Sequence, residues 1–177
     1  MSEAGTQIGI ARARAGAVAA TSPVGPRPVI DEAAVRAALA DVMDPELPMV
    51  SIVDLGMVGS VDVTSGSIDV EVLPTYVGCP ALELIRGAVA ERLSAFGRPV
   101  KVTASFQTSW TSDRITPAGL AALASAGIAP PTDLADTRCP LCASADVVRD
   151  SLFGPTQCRS LYYCRTCRQP FEAIKPV

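Results

Sequence analysis

The chain has 177 residues, 49% of them hydrophobic, with a net charge of −3 at pH 7 and no histidine. That length suits one ordinary domain plus an appendage. The missing histidine excludes Ser–His–Asp catalysis, Cys–His catalysis and every histidine metal site, and the lack of any run of about 18 apolar residues excludes a membrane-spanning helix.

Residues 1–28 are rich in Ala, Gly, Pro and Arg without sustained periodicity, and a disordered leader is expected there. Arg12 and Arg14 adjoin no apolar run, which makes a poor secretory signal and points to the cytoplasm. Asp31 is a good N-cap, Ile30 and Val35 suit a hydrophobic staple, and Val35, Leu39 and Val42 supply the core face of a helix. That helix is expected to stop before Asp44-Pro45, because the residue before a proline avoids the helical region. Asp44-Pro45-Glu46-Leu47-Pro48 alone reads as a solvated, proline-stiffened turn with two carboxylates. Met57 to Val63 and Ser67 to Leu73 alternate around Thr64-Ser65-Gly66, a hairpin signal, with Ile68, Val70 and Val72 on one face.

The next strand-to-helix turn, Pro74-Thr75-Tyr76-Val77-Gly78-Cys79-Pro80, carries the most chemistry. Pro80 suits the first helical position, which puts Cys79 at or beside the N-cap. Free backbone N–H groups and the helix dipole there favour thiolate, the form that binds metal or attacks an electrophile. A buried turn cysteine is the equal alternative. The helix is expected to run to about Phe96, with Leu82, Ile85, Val89 and Leu93 as its stripe, widened by Ala81, Leu84 and Ala88, and Gly97 beyond its end. Val100, Val102, Ala104 and Phe106 alternate as a third strand. A polar stretch surrounds the single tryptophan, Trp110. Thr116-Pro117 opens a short helix with Leu120 and Leu123, ended by Gly127. Residues 29–131 therefore predict a small α+β domain, helices packed on a three-stranded sheet.

Residues 132–177 predict a separate ribbon. Cys139-Pro140-Leu141-Cys142 and Cys164-Arg165-Thr166-Cys167 are two C-x-x-C hooks with 21 residues, 143–163, between them. Four thiolates suit a closed tetrahedral zinc site; an iron or iron–sulfur site is the alternative. Val147, Val148, Leu161 and Tyr163 mark two strands between the hooks. So small a segment needs its metal to fold. Cys158 lies outside both hooks, either a small buried residue or a spare thiol facing a partner or the first domain. Residues 1–137 carry 9 basic and 15 acidic groups, residues 138–177 carry 6 and 3. A zinc bound by four thiolates would leave the ribbon at about +1, too little for nucleic-acid binding.

Asp44-Pro45-Glu46, Val53-Asp54-Leu55-Gly56 and Thr75-Tyr76-Val77-Gly78-Cys79-Pro80 resemble the small iron–sulfur maturation domain of bacterial SufT and the eukaryotic cytosolic iron–sulfur targeting factors. Trp110-Thr111-Ser112-Asp113-Arg114-Ile115-Thr116, Gly127-Ile128-Ala129-Pro130-Pro131 and the four-cysteine ribbon with Phe153-Gly154, Thr156 and Cys158 narrow the resemblance to the PaaD family, the fourth component of bacterial phenylacetyl-CoA epoxidase systems, over about residues 30–175. The resemblance implies a non-catalytic accessory of phenylacetate degradation that helps mature iron or iron–sulfur centres of the oxygenase and reductase subunits. Asp44, Glu46, Thr75 and Cys79 would line its pocket, with a transient iron or cluster at Cys79. Cys139, Cys142, Cys164 and Cys167 would hold the ribbon metal. A single-thiol site would want a second donor, which makes a homodimer plausible. The rival readings are an adaptor subunit with only a structural zinc, and an enzyme with Cys79 as nucleophile, for which a carboxylate would be a poorly matched base.

Overall fold

The computed structural model describes residues 30–177; the expected leader lies outside the described residues. Asp31 caps α1 (Glu32–Leu39), its Oδ1 accepting the Ala34 N–H at 2.8 Å. The helix is shorter than its sequence suggested. Met43–Asp44 (β1) already pairs antiparallel with Leu47–Ser51 (β2). Asp44 Oδ1 accepts the N–H groups of Glu46 and Leu47 at 2.7 and 2.9 Å. That side-chain turn reverses the chain around Pro45 instead of leaving a solvated loop. Asp44 is 6% exposed.

The expected three-stranded sheet is formed by β3 (Val58–Val63), β4 (Ile68–Val72) and β5 (Val100–Ala104), in that spatial order. β3 and β4 are the hairpin; β4 and β5 run parallel. A parallel pair needs a long crossover, and α2 (Leu82–Ser94) provides it. Ile68, Val70 and Val72 face inward to Val35 and Leu39 of α1 and to Ile85, Val89 and Leu93 of α2, all in one buried cluster. Leu84 does not widen the helix stripe: it is 67% exposed. At about 100° per residue it falls on the side of α2 away from Ile85, Val89 and Leu93. Phe106 lies past the end of β5 and is also exposed.

The turn at residues 51–56 anchors the segments C-terminal to the sheet. Asp54 Oδ2 accepts the Ser51 hydroxyl at 2.8 Å, and Oδ1 accepts the Thr116 hydroxyl at 2.7 Å. Thr116 in turn caps α3 (Pro117–Ser125), its Oγ1 accepting the Gly119 N–H at 3.1 Å. Trp110 Nε1 donates to Leu55 O at 2.8 Å, and Arg114 Nε to Gly56 O at 2.8 Å. Gly56 has φ +68°, and a Cβ there would lie 2.4 Å from Arg114; a side chain at this position is barred twice over. A Cβ on Gly119 would lie 2.5 Å from Asp54 O. Two segments that read as separate motifs are thus the two halves of one joint.

The ribbon sheet holds β6 (Ile128–Ala129), β7 (Val147–Ser151), β8 (Arg159–Cys164) and β9 (Pro170–Ile174), in spatial order β6-β9-β8-β7. β7 and β8 are the two strands expected between the hooks. β6 follows α3 directly and pairs parallel with β9, so a strand on the near side of the 131/132 limit is hydrogen-bonded to the ribbon. Ile174 belongs to the core cluster of the first module, and Tyr162 stacks on Phe171 with centroids 5.4 Å apart. No helix among the described residues is long and apolar enough to cross a membrane.

Hydrogen bonds to a charged acceptor contribute about 1.5–3 kcal/mol each. Asp54→Ala removes two, one of which orients a helix cap, and is expected to destabilise the metal-loaded chain by about 3 kcal/mol in urea unfolding. A loss below about 1 kcal/mol, within the range of an ordinary surface change, would show that the joint is not structural.

Candidate functional site

The four hook cysteines converge. The Sγ atoms of Cys139, Cys142, Cys164 and Cys167 all lie within 4.8 Å of one another, with Cys139–Cys167 at 3.7 Å and Cys142–Cys164 at 3.6 Å. A tetrahedron with metal–sulfur bonds of about 2.3 Å has sulfur–sulfur edges of about 3.8 Å. The donor set therefore fits one metal ion held by four thiolates.

Matching local turns make this convergence. In each hook the residue after the second cysteine, Ala143 or Arg168, adopts positive φ, 59° and 60°. Its N–H donates to the carbonyl of the first cysteine, at 2.8 Å from Ala143 and 2.9 Å from Arg168. The backbone N–H of Cys167 brings the Cys164 thiol down to about 7, which favours the thiolate.

The second candidate site lies where β1, the turn before α2 and the ribbon meet. Asp44, Glu46 and Thr75 line one cavity, joined by Trp110, Ile174 and Cys158. Its volume is about 10 Å³, enough for one water-sized body. Cys158 is half-buried and shares a 3.2 Å hydrogen bond with Thr156 Oγ1. Arg159, 8% exposed, bonds Glu172 at 2.5 Å and Thr156 at 2.8 Å, and its charge is felt at both Asp44 and Glu46. Burial pushes the Asp44 carboxyl up against two backbone N–H groups that pull it down. Glu46 is raised by burial and by the neighbouring Asp44.

Cys79 does not line this cavity, but the charges of Glu46, Asp44 and Cys158 reach it. α2 begins at Leu82 rather than at Pro80, with Ala81 as its N-cap. The Ala81 N–H favours the Cys79 thiolate, as expected of a helix start, but burial outweighs it and the charges of Glu46, Asp44 and Cys158 add to burial. The thiol is raised, not lowered. The sequence showed the helix terminus; the opposing carboxylates come from a hairpin some 35 residues earlier and carried no local signal. The ribbon's tertiary packing brings Cys158 to the cavity and the charge of Arg159 to Asp44 and Glu46, which no spacing reveals. Beside the cavity, sharing Thr75 and Trp110 with it, opens a mainly apolar cleft of about 300 Å³ with Tyr76, Val77, Phe106 and Val177 on its walls.

Residues 128–175 match the family of PaaD zinc beta ribbon domains, and residues 32–106 the family of iron–sulfur cluster assembly proteins. A protein of Escherichia coli (strain K12), provisionally named as the D subunit of 1,2-phenylacetyl-CoA epoxidase, is 39% identical over 147 residues, covering 78% of this chain and 89% of that protein. Among solved structures, a DUF59 domain from Bacillus anthracis is 29% identical with a TM-score of 0.49, covering 52% of this chain and 90% of that one. A conserved hypothetical protein of Thermotoga maritima is 26% identical with a TM-score of 0.45, covering 50% and 88%. A Mycobacterium tuberculosis protein associated with iron–sulfur complex assembly and repair is 29% identical with a TM-score of 0.33, covering 52% and 82%.

Only the thiolate of Cys79 alkylates. Removing nearby negative charge favours the thiolate, so Asp44→Asn with Glu46→Gln is expected to speed iodoacetamide labelling of Cys79 near neutral pH and to shift its pH profile downward; mass spectrometry of the full chain reads it. Unchanged or slower labelling would mean that the carboxylates do not act on the thiol. At the ribbon, a non-glycine residue at positive φ costs about 1–2 kcal/mol. Arg168→Gly is therefore expected to raise the metal-loaded stability read by urea unfolding by up to about 1 kcal/mol, glycine's larger unfolded entropy offsetting part of the relief.

Proposed function

The chain belongs to the PaaD family, the D subunits of phenylacetyl-CoA epoxidase systems, and from that premise we propose that it is a non-catalytic factor delivering iron or an iron–sulfur unit to the oxygenase or reductase components of aerobic phenylacetate degradation. One observation supports this reading: the charges of Asp44 and Glu46, which line one small cavity with Thr75, reach the half-buried thiol of Cys79, beside an apolar cleft open to solvent. Iron is the cargo, hence the substrate. Cys79 is its transfer ligand, with Asp44 and Glu46 as oxygen donors and Thr75 on the wall. A carrier must release what it binds, and a mixed thiolate–carboxylate site is looser than a four-thiolate one. The cavity's volume favours a single ion over an assembled cluster within it. The raised Cys79 thiol fits the same role, because its proton competes with the metal and weakens retention at neutral pH.

The two modules divide the labour, residues 29–131 carrying the transfer site and residues 132–177 the ribbon. The ribbon metal is a structural zinc: four thiolates close its coordination sphere and leave no position for substrate. In this reading the chain contributes no catalytic constellation from its described residues.

The test is co-expression with the oxygenase and reductase components, followed by their iron and acid-labile sulfide content. Wild type is expected to raise that content and Cys79→Ser to fail, while both proteins retain one zinc per chain. Full maturation by Cys79→Ser would sink the carrier role and leave an adaptor with a structural zinc.

A further inference from the structure

Exposed apolar side chains form both a recess and a projection on this molecule. The recess is the cleft of about 300 Å³. Tyr76, Val77, Phe106 and Val177 on its walls are all exposed, and among the described residues no charged side chain lines it. The projection is the loop between β7 and β8, where Leu152 and Phe153 are each more than half exposed. Phe153 is held in place there. Ser151 Oγ accepts its N–H at 3.1 Å and donates to its carbonyl at 2.8 Å, and Lys175 Nζ lies 4.1 Å from its ring centroid. Lys175 is two residues from Val177, whose backbone is fastened to Ser112 of the first module. Residues 175–177 thus make the projection and the recess neighbours.

The two features carry opposite charges at their margins. Lys175 puts an ammonium beside the projecting ring. Ser105 and Phe106 of the cleft also line a shallow depression that holds Glu71. Bonds from Ser105 and Ser60 hold the Glu71 carboxyl below the ordinary carboxylate range, so it is an anion at neutral pH. A fixed apolar projection with a cation matches an uncharged apolar recess with an anion. Both halves of the match lie on one chain, as a two-fold contact requires. We propose that a second copy of this chain covers this face: Leu152 and Phe153 of each copy enter the partner's cleft, and Lys175 of each meets the partner's Glu71. Apolar burial supplies the attraction, and the charge pair fixes the orientation. The contact is closed, so assembly ends at a dimer. It does not depend on Cys79 carrying iron.

The experiment is sedimentation equilibrium of the full zinc-loaded chain over a micromolar concentration series. Wild type is expected to pass from the mass of one chain to that of two. Phe153→Ala, Lys175→Glu and Glu71→Lys should each weaken the dimer at least about tenfold, the two charge reversals by setting like charges face to face twice in every dimer. Combining Lys175→Glu with Glu71→Lys should restore it, a result that an unrelated protein docked on the same face does not produce. One retained zinc per chain and an unchanged far-ultraviolet circular dichroism spectrum report an intact fold in each variant. A wild type that stays monomeric throughout, a dimer indifferent to Phe153→Ala, or a double variant no tighter than the single reversals overturns the proposal. Mass is the readout, so none of these outcomes touches the carrier reading.

Discussion

The carboxylate of Asp54 is the constraint on which the arrangement rests. It orients the hydroxyl of Thr116 so that the other side of that oxygen caps α3. α3 leads without slack into β6, and β6 pairs with β9 at the centre of the ribbon sheet. One side chain in a turn of the first module thus sets where the second begins. Trp110 and Arg114 reinforce the joint from the intervening segment. With no play along this path, β8 and β9 can bring Cys158, Arg159 and Ile174 to residues of the first module.

The ribbon centre and the inter-module cavity are built in opposite ways. The ribbon centre is local: each hook supplies two sulfurs within one turn, and a backbone bond to the first cysteine's carbonyl sets the bite. Such a centre folds with its ion and holds it. The cavity is assembled from β1, the turn before α2 and the ribbon, and burial there disfavours the charge of Asp44. The proposed carrier role, keeping one ion and surrendering another, would use this contrast.

Elements with strong local signals were legible in the sequence. The Asp31 cap, the hairpin around Thr64, the strand, helix and strand that become β4, α2 and β5, and the four hook cysteines follow from periodicity, capping and spacing, each set within a few residues. The misreadings share one cause. The α1 boundary yielded to a side-chain turn at Asp44, Leu84 to the facing of α2, and the thiolate reading of Cys79 to burial, to which carboxylates from a distant hairpin add. Each is decided by tertiary placement, which a local pattern does not carry. The motif residues Asp54, Gly56, Trp110 and Arg114 pointed to a family through their order, and their work proves to be joinery.

The cavity shared by the two modules has a consequence for ancestry. Asp44, Glu46 and Thr75 stand on one wall and Cys158 and Ile174 on the other. A ribbon exchanged between relatives would import half a site along with a fold. A change on one wall therefore alters the fit of the other, and the two modules are not independently exchangeable parts.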